Sequence, residues 1–431
     1  MSEKTKHRIV IFLIALTTLP YVFFVKMPSW GLSSSSLESV ALYISAVFGY
    51  IGLSFLVWEL VLGTRAISGL YFTDLGSKLR LHGKIGKYGS IFALLHPVFI
   101  LLAFGENILY LVTPNITEEY EKHVTLGRLA FFALIIIWVT SALVRGKISY
   151  RPWKYLHYLS YPLIVATLLH IPEVGSSFQG RFIQFYWLCT LAIVGLSFIL
   201  RARHLFGYGK VQYSVTRVKK VSPHVVVMQL KNVSKNIEIK TGQYVYVQMN
   251  LYGEEHPFTV LDHDFKAGTL TIAYKIFGKF TEKLSSVEPG DIVYIDGPYG
   301  TFTEEVGVLN EPAVFIAGGI GVTPFIKHAL ENKDSYFFYA NKTRKSAVFT
   351  DVLKSHLQDN FIELYSREEN TERHNVEHGY INENIIKKYV NEPDKYRYYI
   401  CGPEGLMHSA RNSLLSLGIS RDKIHMEEFS F

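Results

Sequence analysis

Up to about residue 203 the chain runs in long apolar stretches separated by short polar ones, and beyond that point its apolar residues fall into short β-rich runs. Spans near 9–25, 40–62, 83–105, 124–144, 154–171 and 182–200 are each of membrane length or nearly so, because about 20 apolar residues cross a hydrocarbon core about 30 Å thick. From Tyr213 to Asp296 the runs VQYSVTRV, VVVMQL, QYVYVQM, TLTIAYKI and DIVYIDG are separated by turn residues such as Thr241-Gly242 and Pro289-Gly290. That rhythm predicts a small antiparallel barrel. From Ala313 the pattern becomes strand, glycine turn and helix: AVFIAGG leads into TPFIKHAL, and YFFYA, FIELYS and YRYYICG alternate with helical stretches, as in a parallel α/β sheet. The expected architecture is a multidomain membrane protein: a six-helix transmembrane bundle over 1–205, an antiparallel β-barrel over 206–305 and an α/β parallel-sheet domain over 306–431.

Charge orients this arrangement. Six spans return the chain to its starting side, and 14 of the 18 Lys and Arg in residues 1–205 fall there, from Lys4 to Arg203, while Glu38, Glu106, Glu118, Glu119, Glu121 and Glu173 occupy the opposite loops. The basic side is expected to be cytoplasmic, with both the N-terminus and the soluble half on it, in a cell membrane. The net charge of +7 has the same origin, because residues 206–431 carry 26 basic against 28 acidic groups. The basic excess therefore calls for a lipid bilayer and no nucleic acid. The two cysteines, Cys189 and Cys401, indicate neither a disulfide framework nor a cysteine metal site. The first span lacks a small-residue cleavage site and reads as a retained helix.

Within the apolar half, His82 and His96 lie fourteen apart and His157 and His170 thirteen apart, each pair on its own predicted helix. At about 1.5 Å per residue each pair is spread over roughly 20 Å, which places two imidazoles at each of two depths. Polar groups in lipid are costly and usually functional, and neutral imidazole is a standard axial ligand of haem iron. Fourteen steps of about 100° return to within about 40° of the starting face, whereas thirteen fall about 140° short. His157 and His170 therefore need a distorted helix, and Pro162 between them supplies a reason for one. Arg128, near the outer end of span four, lacks the positive-inside explanation and suggests an anion nearby. Glu59, near the inner end of span two, reads as a partner of Arg65.

The soluble half carries an ordered series of motifs: His256-Pro257-Phe258-Thr259, Gly278-Lys279-Phe280-Thr281, Gly297-Pro298-Tyr299-Gly300, Gly318-Gly319-Ile320-Gly321-Val322-Thr323-Pro324, Cys401-Gly402-Pro403 and Glu427-Glu428-Phe429. Glycines after a strand let backbone approach a pyrophosphate, and a following helix N-terminus favours the anion. In this order the motifs resemble the ferredoxin–NADP reductase superfamily, and HPFT is the form seen in the NADPH oxidase and ferric reductase families. The segments LHGKIGKYGSIFALLHP and WKYLHYLSYPLIVATLLH independently resemble the transmembrane domain shared by those families.

The resemblance implies an oxidoreductase with FAD, NADPH (NADH being possible) and two haem b. FAD would sit in the barrel, with Phe258 packed on the flavin and Thr259 bonded near its redox-active edge. His256, Pro257 and Lys275 would lie beside it, and Gly278, Phe280 and Thr281 would hold the pyrophosphate. NADPH would bind Gly318, Gly319, Gly321, Thr323, Pro324, Cys401, Gly402 and Pro403. Ser366 and Arg367 look like the Ser-Arg pair that holds a 2′-phosphate, where a guanidinium suits a dianion. Thr259, Cys401 and Phe429 would be the catalytic positions; Phe429 would stack on the flavin and move aside for nicotinamide, with Phe431 a possible substitute.

In the membrane, His82 and His157 would ligate an inner haem and His96 and His170 an outer one. Electrons would pass from cytoplasmic NADPH through FAD and both haems to an acceptor outside. O2 giving superoxide is the first expectation; a Fe(III) chelate or a protein partner are the alternatives. The short outer loops lack a His/Asp/Glu cluster for iron, which favours oxygen, although Ile100 stands where animal oxidases often carry another histidine. No EF-hand or added regulatory domain is visible, so no obligatory regulatory subunit is expected.

Overall fold

The structure is a computed structural model, described here for residues 3–26, 37–72, 74–303, 306, 312–368 and 374–427. The chain forms two compact units, Met1–Arg203 and His204–Phe431.

The first unit is helical: α1 (Glu3–Phe24), α2 (Leu37–Gly63), α3 (Arg65–Tyr71), α4 (Leu75–Phe104), α5 (Leu109–Val112), α6 (Glu119–Trp138), α7 (Tyr150–His157), α8 (Ser160–Val174) and α9 (Arg181–Leu205). Among the described residues five helices are long and apolar enough to cross a membrane: those beginning at Thr5, Leu37, Leu75, Glu119 and Arg181. The segment expected as span five is instead in two pieces, α7 and α8, neither of which reaches about 20 residues alone. The break at Tyr158 and Leu159 has a local cause. Pro162 cannot donate to the Tyr158 carbonyl four residues back and its ring crowds that group. The Leu159 amide turns instead to Leu156 O at 3.1 Å, and helical bonding resumes with Leu163 N to Leu159 O at 3.0 Å.

Helix α4 begins at Leu75, about two turns before the expected boundary, so that His82 lies well inside it. Asp74 Oδ1 accepts from Ser77 N at 3.0 Å at its start, and Gly105, at φ 65°, ends it in the left-handed conformation. Helices α2 and α4 pack through small residues: a Cβ on Gly52 would lie 2.9 Å from Ala93 Cα, and one on Gly89 would lie 2.6 Å from the Phe55 ring. Without a hydrophobic gradient between helices in lipid, such close backbone approach is what drives their association.

The second unit joins a closed barrel to a six-stranded sheet. The barrel strands are β1 (Val211–Ser222), β2 (Val225–Asn232), β3 (Tyr244–Gln248), β4 (Glu255–Asp264), β5 (Thr269–Lys275) and β6 (Ile292–Tyr299), ordered β1-β2-β5-β4-β3-β6 with every pairing antiparallel. Alternate residues turn inward, and Met228, Leu230, Val245, Val247, Leu270, Ile272 and Ile295 fill the interior. Helix α10 (Lys279–Leu284) follows β5. The sheet comprises β7 (Ala313–Gly318), β8 (Tyr336–Asn341), β9 (Phe361–Tyr365), β10 (Val376–His378), β11 (Arg397–Cys401) and β12 (Ile424–Glu427), all parallel, in the order β10-β9-β8-β7-β11-β12. Helices α11 (Ile326–Glu331), α12 (Thr350–Leu357), α13 (Glu383–Tyr389) and α14 (Glu404–Ser416) intersperse these strands. Every residue of β7 is buried, the mark of a strand covered on both faces. Strand order reverses between β7 and β11, and in an open α/β sheet the carboxyl ends at such a reversal form the ligand crevice.

Candidate functional site

In the membrane unit the four histidines meet as two pairs. The rings of His82 and His157 lie 6.1 Å apart between centroids, and those of His96 and His170 lie 6.5 Å apart. Two imidazoles gripping one metal from opposite sides, each through a bond of about 2 Å, would have centroids roughly 6 Å apart. The pairs therefore fit bis-imidazole ligation.

The nitrogen that each ring keeps on the protein agrees with this fit. His96 Nδ1 lies 2.8 Å from the Ser45 carbonyl and 2.9 Å from its hydroxyl, and His170 Nδ1 lies 2.8 Å from the His123 carbonyl. His157 Nδ1 lies 3.3 Å from Ser141 Oγ, in the π-helical turn Val139–Leu143 that ends α6. His82 Nδ1 lies 2.9 Å from Glu59 Oε2, in a close imidazole–carboxyl contact. A ring held at Nδ1 presents Nε2 as its free ligand atom.

Glycines make room for the rings. On α2, Gly49 and Gly63 are fourteen apart, as His82 and His96 are on α4; a Cβ on Gly49 would lie 3.0 Å from His96 and one on Gly63 would lie 3.6 Å from His82. A Cβ on Gly127 would come within 2.7 Å of His170. The outer pair opens into a largely apolar cavity of about 1400 Å³, its open mouth included, lined also by Ile100, Tyr110, Tyr120 and Arg128. Arg128 lies against Tyr110 in this cavity. It is 8% exposed, lies 4.5 Å from the Tyr110 ring centre, donates to Thr125 Oγ1 at 3.3 Å and is 3.7 Å from Glu121.

The sequence reading missed Ser45, Ser141, Gly49, Gly63 and Gly127. The fourteen-residue glycine interval on α2 is a signal that could have found two of them. Glu59, expected beside Arg65, meets His82.

In the soluble unit β4 carries His256, Pro257, Phe258 and Thr259. The His256 ring stacks on Phe280 with centroids 4.0 Å apart and planes at 23°, and Phe258 lies 6.3 Å from the same ring. These aromatics join the HPFT motif to Gly278-Lys279-Phe280-Thr281. Gly278, at φ 81°, opens the turn into α10, Thr281 Oγ1 donates to its carbonyl at 3.1 Å, and Phe277 N donates to Thr281 Oγ1 at 2.6 Å. Lys275 is exposed at the end of β5. Stacked aromatics beside a glycine turn suit a flavin nucleotide.

The turns after β7 and β11 interlock at the strand-order reversal. A Cβ on Gly321 would lie 2.4 Å from the Cys401 carbonyl oxygen, one on Gly318 2.7 Å from Pro403, and one on Gly402 2.9 Å from Gly318 N. Only glycine allows these two backbones to pass so closely. The segment after β7 is a 3-10 turn, Gly319–Val322; Thr323 and Pro324 precede the six-residue α11 rather than opening the helix, as the TPFIKHAL stretch led us to expect. Thr323 Oγ1 donates to Ile320 O at 3.0 Å and Tyr339 OH to Gly319 O at 3.0 Å, bracing the turn. Cys401 is fully buried, and burial pushes its thiol well above the ordinary range, so it stays protonated near neutrality.

The loops after β8 and β9 are zipped together by Ser366 N to Asn341 O at 3.1 Å and Arg367 N to Lys342 O at 3.0 Å. Lys342, Arg344, Ser366 and Arg367 thus share one edge, with Arg367 exposed and Glu368 Oε1 accepting from Arg344 N at 2.6 Å. Glu427 pairs in register with Cys401, whereas Glu428, Phe429 and Phe431 lie outside the described residues.

Three family models match the chain: ferric reductase like transmembrane component over residues 48–168, oxidoreductase FAD-binding domain over 212–303 and oxidoreductase NAD-binding domain over 315–412. The propane 2-monooxygenase reductase component of Mycolicibacterium smegmatis is 25% identical over 262 residues, covering 56% of this chain and 74% of the relative. The carnitine monooxygenase reductase subunit of Escherichia coli is 27% identical over 199 residues, covering 44% and 58%. The flavohaemoprotein of Rhodopirellula baltica is 27% identical over 220 residues, covering 44% and 52%. The chain thus spans between about half and three quarters of these curated relatives. A solved flavohaemoglobin from Malassezia yamatoensis aligns over 83% of this chain and 97% of its own, with 20% identity and a TM-score of 0.47.

Proposed function

Since its three matched regions together have the architecture of the NADPH oxidase/ferric reductase superfamily, we propose that this oxidoreductase moves electrons from NADPH across the membrane to dioxygen, releasing superoxide on the far side. The observation that carries the reading is the pair of opposed imidazole sets, 6.1 and 6.5 Å apart, in a chain that also has FAD-binding and NAD-binding domains.

When bound, FAD accepts hydride and gives up single electrons, and two b-type haems relay them between depths. His82 and His157 would hold the haem nearer the basic end of the bundle, and His96 and His170 the other. In the soluble half, Phe258 and His256 would order the flavin. The Gly318–Pro324 and Cys401–Pro403 turns would place the dinucleotide against it, with Cys401 acting as a neutral, packed thiol rather than a nucleophile. Phe429 is assigned the stacking position. At the outer cavity the Arg128 guanidinium would favour an anion formed there, which supports superoxide as the product. Among the described residues the group of His, Asp and Glu side chains close enough to hold a metal is His204, Glu255 and Asp296, in the other unit.

The test is an assay of purified full-length protein in lipid with NADPH and FAD and no added protein. Dye reduction sensitive to superoxide dismutase should account for NADPH consumed. Stoichiometric Fe(III)-chelate reduction without superoxide would replace the acceptor. Haem reduction under anaerobic conditions with neither acceptor turned over, or a rate that stays near zero until a cytosolic factor is added, would turn the reading to a protein-coupled module.

The dinucleotide preference has its own expected result. Arg367→Ala should lower kcat/KM for NADPH by roughly 10- to 100-fold, the worth of one or two charge-assisted hydrogen bonds, while leaving that for NADH within about 2-fold. Equal losses with both dinucleotides would remove Arg367 from phosphate recognition.

A further inference from the structure

The four imidazoles are alike in keeping Nδ1 on the protein and unlike in what meets it. Behind His96, His170 and His157 stand two backbone carbonyls and two serine hydroxyls, all neutral. Behind His82 alone stands a carboxyl group, Glu59 Oε2 at 2.9 Å. The two side chains are 17% and 18% exposed, so solvent screens the contact weakly. The slot for it is shaped on both sides by missing side chains. A Cβ on Gly86, one turn along α4 from His82, would lie 2.8 Å from Glu59 Oε2, and Gly63, one turn along α2 from Glu59, faces the His82 ring. A bulkier residue at Gly86 would push the carboxyl group off the imidazole.

We infer that Glu59 is a positioning residue for the inner site, its carboxyl group holding His82 with Nε2 toward His157, whereas none of the other three rings has a carboxyl group at Nδ1. The inference rests on the reading that His82 and His157 hold a haem. A carboxyl group at Nδ1 makes the imidazole a stronger donor than a carbonyl or hydroxyl does, and so favours the oxidised, more positive iron. Among the described residues the outer rings meet neutral carbonyl and hydroxyl groups at Nδ1. The inner site would thus hold an electron less tightly than the outer one, and transfer would run downhill from the His82–His157 site to the His96–His170 site.

The test is potentiometric, on full-length protein in lipid, following haem absorbance with no turnover. Glu59→Gln keeps a side chain of the same shape and replaces the carboxyl group by an amide, a weaker acceptor. It should retain two haems per chain and raise one midpoint, weakening the inner-to-outer equilibrium tenfold or more, about 59 mV for one electron, with the other midpoint unmoved. In a His96→Leu background, where the inner haem alone remains, the same substitution should shift that haem. Two unmoved midpoints, or a shift confined to the outer haem, would overturn the inference. Should Glu59→Gln lose a haem, Glu59→Asp decides. A carboxyl group drawn back by one methylene should keep both haems and raise the same midpoint by a smaller amount, and an unchanged midpoint there overturns the inference too. A wild-type chain that binds fewer than two haems, or a His82→Leu variant that keeps both, would instead strike the ligand reading itself.

Discussion

Replacing His96 by leucine should remove the outer haem and cut the rate to an acceptor on the far side by more than about 100-fold, since even outer-layer partners of a metal ligand are worth 10- to 100-fold. The substitution deletes one of two rings that face each other at 6.5 Å and leaves His170 with nothing opposite. Leucine matches the apolar cavity and suits an α-helix, so the bundle should still assemble. Reduction of a soluble artificial acceptor directly from the flavin should persist near the wild-type rate, because that chemistry belongs to the second unit. The measurements are haem per chain by pyridine haemochrome, dismutase-sensitive dye reduction, and NADPH-driven reduction of the soluble acceptor. Retention of two haems per chain would contradict the ligand assignment. Equal loss of both activities would point to misfolding rather than to a broken relay.

Replacing Gly321 by valine should disable the opposite end of the pathway. Its Cβ would lie 2.4 Å from the Cys401 carbonyl oxygen and 2.7 Å from the carbonyl carbon, and these are backbone atoms of a central strand that cannot swing aside. Overpacking of this kind costs about 1–3 kcal/mol, and the cheapest relief is to part the two turns that together would seat the dinucleotide. We expect kcat/KM for NADPH to fall by more than about 100-fold, because a misplacement of reacting groups by about 1 Å can itself cost about 100-fold. FAD content should stay near one per chain, because the stacked His256, Phe258 and Phe280 lie in the barrel. Reduction of both haems by dithionite should also be unaffected. Normal NADPH turnover in this variant would show that the interlocked turns are not the dinucleotide site.

Much of this was legible in the sequence because the signals are local or periodic. Apolar runs of membrane length, the period-two rhythm of the barrel and the glycine turn after β7 each depend on a few neighbouring residues. The arithmetic of thirteen residues between His157 and His170 pointed to a distorted helix, and the Pro162 ring against the Tyr158 carbonyl explains why the break falls at Tyr158 and Leu159 rather than at the proline itself. The partners of the imidazoles were not legible. Ser45 and His96 are 51 residues apart and His123 and His170 47 apart, and a serine or a carbonyl carries no mark of what it will accept from. Glu59 was read against Arg65, a near neighbour in the chain, whereas helix packing brings it to His82.

The sequence by itself determined the kinds of element, the two-part division into apolar helices and soluble β and α/β structure, and the residue types able to hold haem, flavin and dinucleotide, because composition and spacing act through the chain's own covalent geometry. The tertiary structure alone decided which imidazoles face each other, which nitrogen each keeps on the protein, and that a carboxyl group stands behind just one of them. It also decided that the turns after β7 and β11 interlock where strand order reverses. These are contacts between distant segments, set by the close approach of helices through glycine and by the order of strands in a sheet, and neither is encoded at any single position.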